Sequence, residues 1–442
     1  SRGEGAPNRL GRVAARHHEE NTMDHQVPPI SDAADVTPTP ERNTARRRQT
    51  QIIVGAVLGL SVCLPTMTYS YGIFMAAFET QFGWSRTALS VPFTVMATVI
   101  FVGGMPVGWL ADRLRANRVA AASMAGLGLA FLAFPFVVRD LTSLWAAYGL
   151  ASILGLGTIP AVLLKPLMMA FSKRRGLATG LALSGIGIGA VLLPQVANAL
   201  VERGGYGLGY AGLGALCLTV SPLLLFLLSS PERIASGARA AEAPADGVTL
   251  LQASRTRTFW GLSAITALGV FGVAGMASQL VPFLRDYDVN VAKAADALSL
   301  FGLGSLAGRI GTGHVLDRLK GPLAGSLPFM AGAAGALLLL FFDARFAFTA
   351  SIFMGFALGA EVDIVAYFVS RYFGLRYHGA IFGWYYGLVA LGGAGAPIIL
   401  AILRDSQGDY DGGLVIAIAA LMAAALLCPL LGRYQYDVSS RQ

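Results

Sequence analysis

Twelve apolar runs, each about 20 residues or longer, leave this 442-residue chain few ways to fold. They lie near 52–78, 87–110, 119–138, 144–170, 177–201, 208–229, 259–284, 295–316, 322–342, 346–370, 380–403 and 413–432. About 20 apolar residues is the length an α-helix needs to cross the hydrocarbon core of a bilayer. In hydrocarbon a backbone must satisfy its own hydrogen bonds, so each run predicts a helix. Only 13% of the residues are charged, against about 25% in a soluble domain, too little polar surface for water. The expected class is an all-α membrane protein with twelve transmembrane helices.

The net charge of +8 would suit nucleic acid if it were clustered on one face, but it is dispersed along the chain. "DRLRANR", "SKRRG", the stretch from Pro231, "DRLK" and "RYFGLRYH" follow every second apolar run, whereas "RDYDVNVAKAAD" and "RDSQGDYDGG" lie between them. Basic loops stay in the cytoplasm, so the chain is expected to be multi-pass in the cell membrane with both termini cytoplasmic and no nucleic-acid partner. Residues 1–50 read as a disordered tail closed by the anchor "ARRRQT", with Met23 a candidate start, and 435–442 as a second cytoplasmic tail. Residues 230–256 read as a polar linker between two six-helix bundles, 51–229 and 257–434. Cys63, Cys217 and Cys428 lie far apart in separate apolar runs, a spacing that suits neither disulfide nor metal, and no metal or cofactor is expected.

The two bundles repeat each other. "GGMPVGWLADRLR" (103–115) matches "GRIGTGHVLDRLK" (308–320) at one constant offset, placing Gly108 on Gly313, Asp112 on Asp317, Arg113 on Arg318 and Gly104 on Arg309. At a slightly shorter offset, Gly176, Gly180, Gly189 and Pro194 meet Gly379, Gly383, Gly392 and Pro397. Two collinear matches indicate pseudo-symmetric halves about an axis along the membrane normal.

With twelve helices, a central linker and "GWLADRLRANR" after the second helix, the chain resembles the major facilitator superfamily. The resemblance implies the major facilitator fold and a cytoplasmic gating motif at Gly108, Asp112, Arg113 and Arg118, echoed by Gly313, Asp317 and Arg318. An Asp and adjacent arginines at a helix end can make charge-assisted bonds across neighbouring helix ends, holding one conformation and parting in another. "TYSYGIFMAAFETQFGWSRTALS", "FSKRRGLATGLALSGIGIGAVLLP" and "GAEVDIVAYFVSRYFGLRYHGAIFGWYYG" resemble the branch of oxalate/formate antiporters and monocarboxylate transporters.

Ionisable residues inside membrane helices are functional candidates, because facing lipid is expensive. Arg309 precedes Asp317 by about 12 Å of helix, too deep to snorkel easily. Its planar fork suits a carboxylate, and the resemblance matches it to a substrate-binding arginine on the family's eighth helix. The competing role is a structural pair with a carboxylate of the tenth helix. Lys165 belongs either to the cavity or to the interface. Glu361 and Asp363, two residues apart, point about 200° apart on a helix; either could carry a coupled proton or pair with Arg309 or Lys165. Tyr69, which shares a face with Thr66 and Ser70, Trp384 beside Tyr385 and Tyr386, and Gln279 complete the substrate-contact candidates. His378 reads as a loop residue.

The sequence departs from the monocarboxylate branch at three points. Ser305 stands where its members carry an aspartate, the first apolar run lacks the expected lysine, and 380–403 lack the second cation of the oxalate carrier. One cavity cation favours a singly charged cargo. The expected function is therefore secondary active transport, by a monomer, of a small monocarboxylate by alternating access, coupled to a proton or a counter-anion. Export of hydrophobic or cationic compounds by proton antiport is the alternative, and a non-transporting membrane sensor a remote one. No catalytic residues are expected, because the loops carry no nucleophile, metal or phosphate-binding pattern.

Overall fold

The computed structural model describes residues 40–171, 174–229, 247–319 and 321–436. Residues 1–44 form a unit of their own, and residues 45–442 form the helical body that holds the passes. The expected tails and linker at 1–39, 437–442 and 230–246 lie outside the described residues.

The first pass is split. α1 (Pro40–Met67) and α2 (Tyr71–Phe82) are separated by a turn at 68–70. α1 also begins about three turns earlier than hydropathy places the first helix, since 40–50 are helical. α3 (Arg86–Arg113) and α4 (Ala116–Val137) are the second and third passes. The fourth, expected as one helix, is broken into α5 (Leu141–Gly155), a 3-10 turn, α6 (Pro160–Leu163) and α7 (Lys165–Ala170). Pro160 and Pro166 stand in the first turn of α6 and α7, where proline has no N–H to lose and cannot continue a preceding helix.

α8 (Arg175–Leu227) contains the fifth and sixth passes and reverses at Gly204 and Gly205. Gly205 has φ 70° and ψ −174°, a region open to glycine alone. Short α9 (Leu250–Ser254), begun by a Thr249–Gln252 capping box, lies within the expected linker. Val248 N–H donates to the Phe373 carbonyl at 3.0 Å, so the linker's end is docked on the loop after the tenth pass.

The remaining passes are α10 (Arg257–Asp286), α11 (Val291–Arg318), α12 (Ser326–Phe342), α13 (Ala347–Tyr372), α14 (His378–Gln407) and α15 (Asp411–Leu430). Length and composition alone mark eight stretches able to cross a membrane. Two of them, 175–227 and 322–372, hold two passes each. The broken first segment and the charged α11 supply the others, completing twelve.

The halves meet where α3 runs along α14 and α8 runs along α11. Glycine removes the side chains that would hold the backbones apart, as is usual between helices in lipid. Gly104 faces Gly383, Gly108 faces Gly379, Gly176 faces Gly313, and Gly180 faces the carbonyl of Arg309. These are the residues the internal repeat superimposes, so the duplication in sequence is a duplicated helix contact in space. Within the second half, Gly304, Gly308, Gly355 and Gly359 bring α11 and α13 together in the same way.

Aromatic residues of "TYSYGIFMAAFETQFGW" fill the first half's core. Tyr71, Phe74 and Phe78 are fully buried. Tyr71 donates to the Leu89 carbonyl at 2.7 Å, and Phe74 stacks on Tyr210 at 3.8 Å.

Candidate functional site

Arg309 lies about 13 Å from the Arg318 end of α11, and its side chain is 11% exposed. Its Nη1 is 3.3 Å from Oδ1 of Asp363 on α13, whose side chain is 1% exposed. Close backbone contact between α11 and α13 sets this short reach. Glu361 is also buried. Its Oε1 and Asp363 Oδ2 have no hydrogen-bond partner among the described residues. Buried polar atoms are normally satisfied, and a buried carboxylate short of partners is costly. One guanidinium thus serves two buried carboxyl groups and bonds only one.

Tyr386 of α14 lies within electrostatic reach of Arg309, Glu361, Tyr69 and Cys63. It also lines a small cavity with Cys63, Met67, Met96 and Thr158. Tyr69, at the break between α1 and α2, is 50% exposed, while its neighbours Thr66 and Ser70 are buried. Arg309, Asp363 and Glu361 therefore form one charged group in the second half, and Tyr386 lies within electrostatic reach of it.

Trp384 and Gln279 lie elsewhere. Trp384 Nε1 donates to Ser263 Oγ of α10 at 3.1 Å, and the ring lies against Phe101, Phe259 and Trp260. Gln279 Nε2 donates to the Pro397 carbonyl at 3.4 Å. It sits about 33 Å along α10 from Arg257, beside Arg404 and Tyr410. Sequence alone does not single out Tyr386, although a signal exists. Residues 379, 383 and 386 fall on one helical face, the face that meets α3, whereas 384 is rotated about 100° from 383.

Lys165 forms a charge pair, not with Asp363 or Glu361 but with Asp112: its Nζ is 2.9 Å from Asp112 Oδ1 and donates to the Ala111 carbonyl at 3.0 Å. Asp112 also accepts the Gly379 and Ala380 N–H groups at 3.0 and 2.8 Å. These are unsatisfied donors at the start of α14, and the positive end of the helix dipole favours an anion there. In the other half Asp317 accepts the Gly176 and Leu177 N–H groups, both at 2.9 Å, at the start of α8.

Among the described residues, the hydrogen bonds these two aspartates make across the helix ends go to backbone amides. Arg113 instead lies over the Trp109 ring at 4.1 Å, and Arg118 and Arg318 are exposed. Gly108 and Gly313 are what let each aspartate's helix approach the amides it binds. His378, read as a loop residue, is the buried first residue of α14, with Nε2 3.3 Å from the Ala366 carbonyl. Among the described residues, no group of three or more His, Cys, Asp or Glu is placed to hold a metal ion.

The Major Facilitator Superfamily profile matches residues 57–397. Monocarboxylate transporter 13 of Rattus norvegicus is 29% identical over 376 residues, covering 80% of this chain and 82% of the relative. Monocarboxylate transporter 12-B of Danio rerio is 25% identical over 417 residues, covering 85% of each. Among solved structures, the E. coli fucose:proton symporter FucP superposes with TM-score 0.69 at 13% identity, over 88% of this chain and 99% of that one. The twelve passes, the glycine-lined contacts between two repeated halves and the profile match agree: this multi-pass membrane protein, a transporter and not an enzyme, belongs to the Major Facilitator Superfamily and resembles its monocarboxylate branch.

Proposed function

We propose that this protein moves a small monocarboxylate across the cell membrane by alternating access, as a monomer with both termini cytoplasmic. The observation that carries the reading is the Arg309–Asp363 pair, a part-buried guanidinium held by one oxygen of a buried carboxylate. A second carboxyl group, Glu361, stays beside it with Oε1 unpartnered among the described residues. An entering carboxylate is a competitor for Arg309. Arg309 can offer it two parallel N–H groups, and Asp363, once displaced, becomes the more favourable site for a proton. Glu361 is the second proton site on the same helix. Coupling to a proton or a counter-anion follows from the same exchange, since the cavity carries one fixed cation and accommodates one unneutralised anion at a time. In this reading Tyr386 and Tyr69 contact the carbon skeleton.

The reading is supported by the names of the relatives, which are monocarboxylate transporters. Export of hydrophobic cations is the second reading, carried by Glu361, whose Oε1 is unpartnered among the described residues while Arg309 holds Asp363.

In the first reading the Asp112 and Asp317 caps hold the cytoplasmic face closed and break when the carrier opens inward. The test is uptake into proteoliposomes of a panel of short monocarboxylates under an imposed pH gradient. Arg309→Lys keeps the charge and loses the fork. A hydrogen bond to a charged group is worth about 1.5–3 kcal/mol, so affinity should fall by roughly one to two decades, and Arg309→Ala should abolish uptake. Restored transport in Arg309→Ala/Asp363→Asn would reduce the pair to a structural one and refute the assignment.

A further inference from the structure

A second cavity lies apart from the small one that Tyr386 lines. It is a groove of about 710 Å³ at the end of the molecule that carries the Asp112 cap. Its walls hold five cations, Arg113, Arg115, Arg118, Lys165 and Arg376, and one carboxylate, Asp112. Asp112 is fully engaged by Lys165 and the amides of α14. Arg113 and Arg376 lie over the Trp109 and Tyr377 rings, which hold a guanidinium in place without neutralising it. Among the described residues no carboxylate pairs with Arg113, Arg115, Arg118 or Arg376. The groove is therefore strongly cationic, with four arginines that no described carboxylate neutralises.

Its position says which anion. One wall is apolar and outward-facing, with Leu114 54%, Leu225 45% and Phe226 71% exposed. Apolar surface of this kind beside unneutralised arginines matches a molecule with a charged head and hydrocarbon chains. Arg115 precedes α4 in the first half and Arg376 precedes α14 in the second, so one bound head group touches both halves next to the bond between Asp112 and α14.

We infer that this groove binds an anionic phospholipid, its phosphate between Arg115, Arg118 and Arg376 and its chains along Leu225 and Phe226. A lipid so placed bridges the two halves and stabilises the conformation in which this face is closed. The leaflet it comes from rests on the topology proposed above, but the binding does not.

The test uses the full chain in nanodiscs of phosphatidylcholine with or without phosphatidylglycerol, which present the same lipid to both faces and so do not depend on topology. Native mass spectrometry should find phosphatidylglycerol retained in preference to phosphatidylcholine, and phosphatidylglycerol should raise the thermal midpoint. A basic side chain near an anionic surface changes lipid affinity by about fivefold. Arg115→Gln/Arg376→Gln should therefore lose roughly 25-fold in retention, while Arg115→Lys/Arg376→Lys keeps most of it. Equal retention by the Gln pair and the wild type overturns the proposal. So does equal stabilisation by inorganic phosphate in phosphatidylcholine discs, which would make this a soluble-anion site. If the Gln pair cannot be purified, the wild type decides alone, and indifference between the two lipids rejects the proposal.

Discussion

Gly379 is where a single methyl group should disturb the closed face most selectively. A Cβ there would stand 2.5 Å from the Gly108 carbonyl oxygen and 2.8 Å from Asp112 Oδ1, where ordinary contact begins at 3.4 Å. Gly379→Ala therefore requires α3 and α14 to part by about 0.9 Å at Gly108, and Asp112 to retreat by about 0.6 Å where that parting does not already clear it. Asp112 cannot retreat cheaply, because Lys165 and two N–H groups hold it, one of them from Gly379 itself. Overpacking of this kind costs about 1–3 kcal/mol, and only in the conformation where the helices touch. The equilibrium should shift away from the closed face by roughly 5–150-fold. Gly395→Ala, on the same helix, meets nothing within 4 Å and is the control. Spin labels at Arg115 and Leu375, which line the same groove from opposite halves, report the separation by pulsed electron resonance. Gly379→Ala should populate a longer distance, with a thermal midpoint close to that of Gly395→Ala. An unchanged distance distribution would refute the idea that glycine contacts set the resting conformation.

Asp112→Asn should slow transport more than it weakens equilibrium substrate binding, measured by paired uptake and binding assays. Adding Lys165→Met should recover part of the loss, because a buried lysine without its counter-charge is itself costly; no recovery would mean the pair contributes nothing. Trp384→Phe should lower the thermal midpoint through loss of the bond to Ser263, worth about 0.5–1.5 kcal/mol, with substrate affinity unchanged. Tyr386→Phe should do the reverse. A reporter fused after Gln442 should read cytoplasmic, and an external reading would overturn the topology drawn from the loop charges.

Hydrophobicity accumulates along a chain, so the number and place of the passes were legible before any contact was known. The repeat was legible for the same reason: both copies solve one packing problem with the same glycines, and Gly104, Gly108, Gly379 and Gly383 carry it in their spacing. The helix breaks were written in Pro160, Pro166 and Gly205, local signals of turns that a count of apolar residues overlooks.

The partners of the charges were not legible. Lys165 and Asp112 are far apart in sequence, and nothing around either names the other; they meet because α3 and the segment carrying Lys165 are brought together by the bundle. That Asp112 binds the amides at the start of α14, not an arginine, depends on a helix end delivered by the opposite half. The choice between Trp384 and Tyr386 was a matter of azimuth. Both are aromatic and both lie in an apolar run, but two residues of helix turn one toward Ser263 of α10 and the other toward the small cavity lined by Cys63 and Met96. Composition along a single strand of sequence determines which segments leave water. Which side chain meets which is decided by rotation and crossing of whole helices, and those are set by the sum of all the contacts at once.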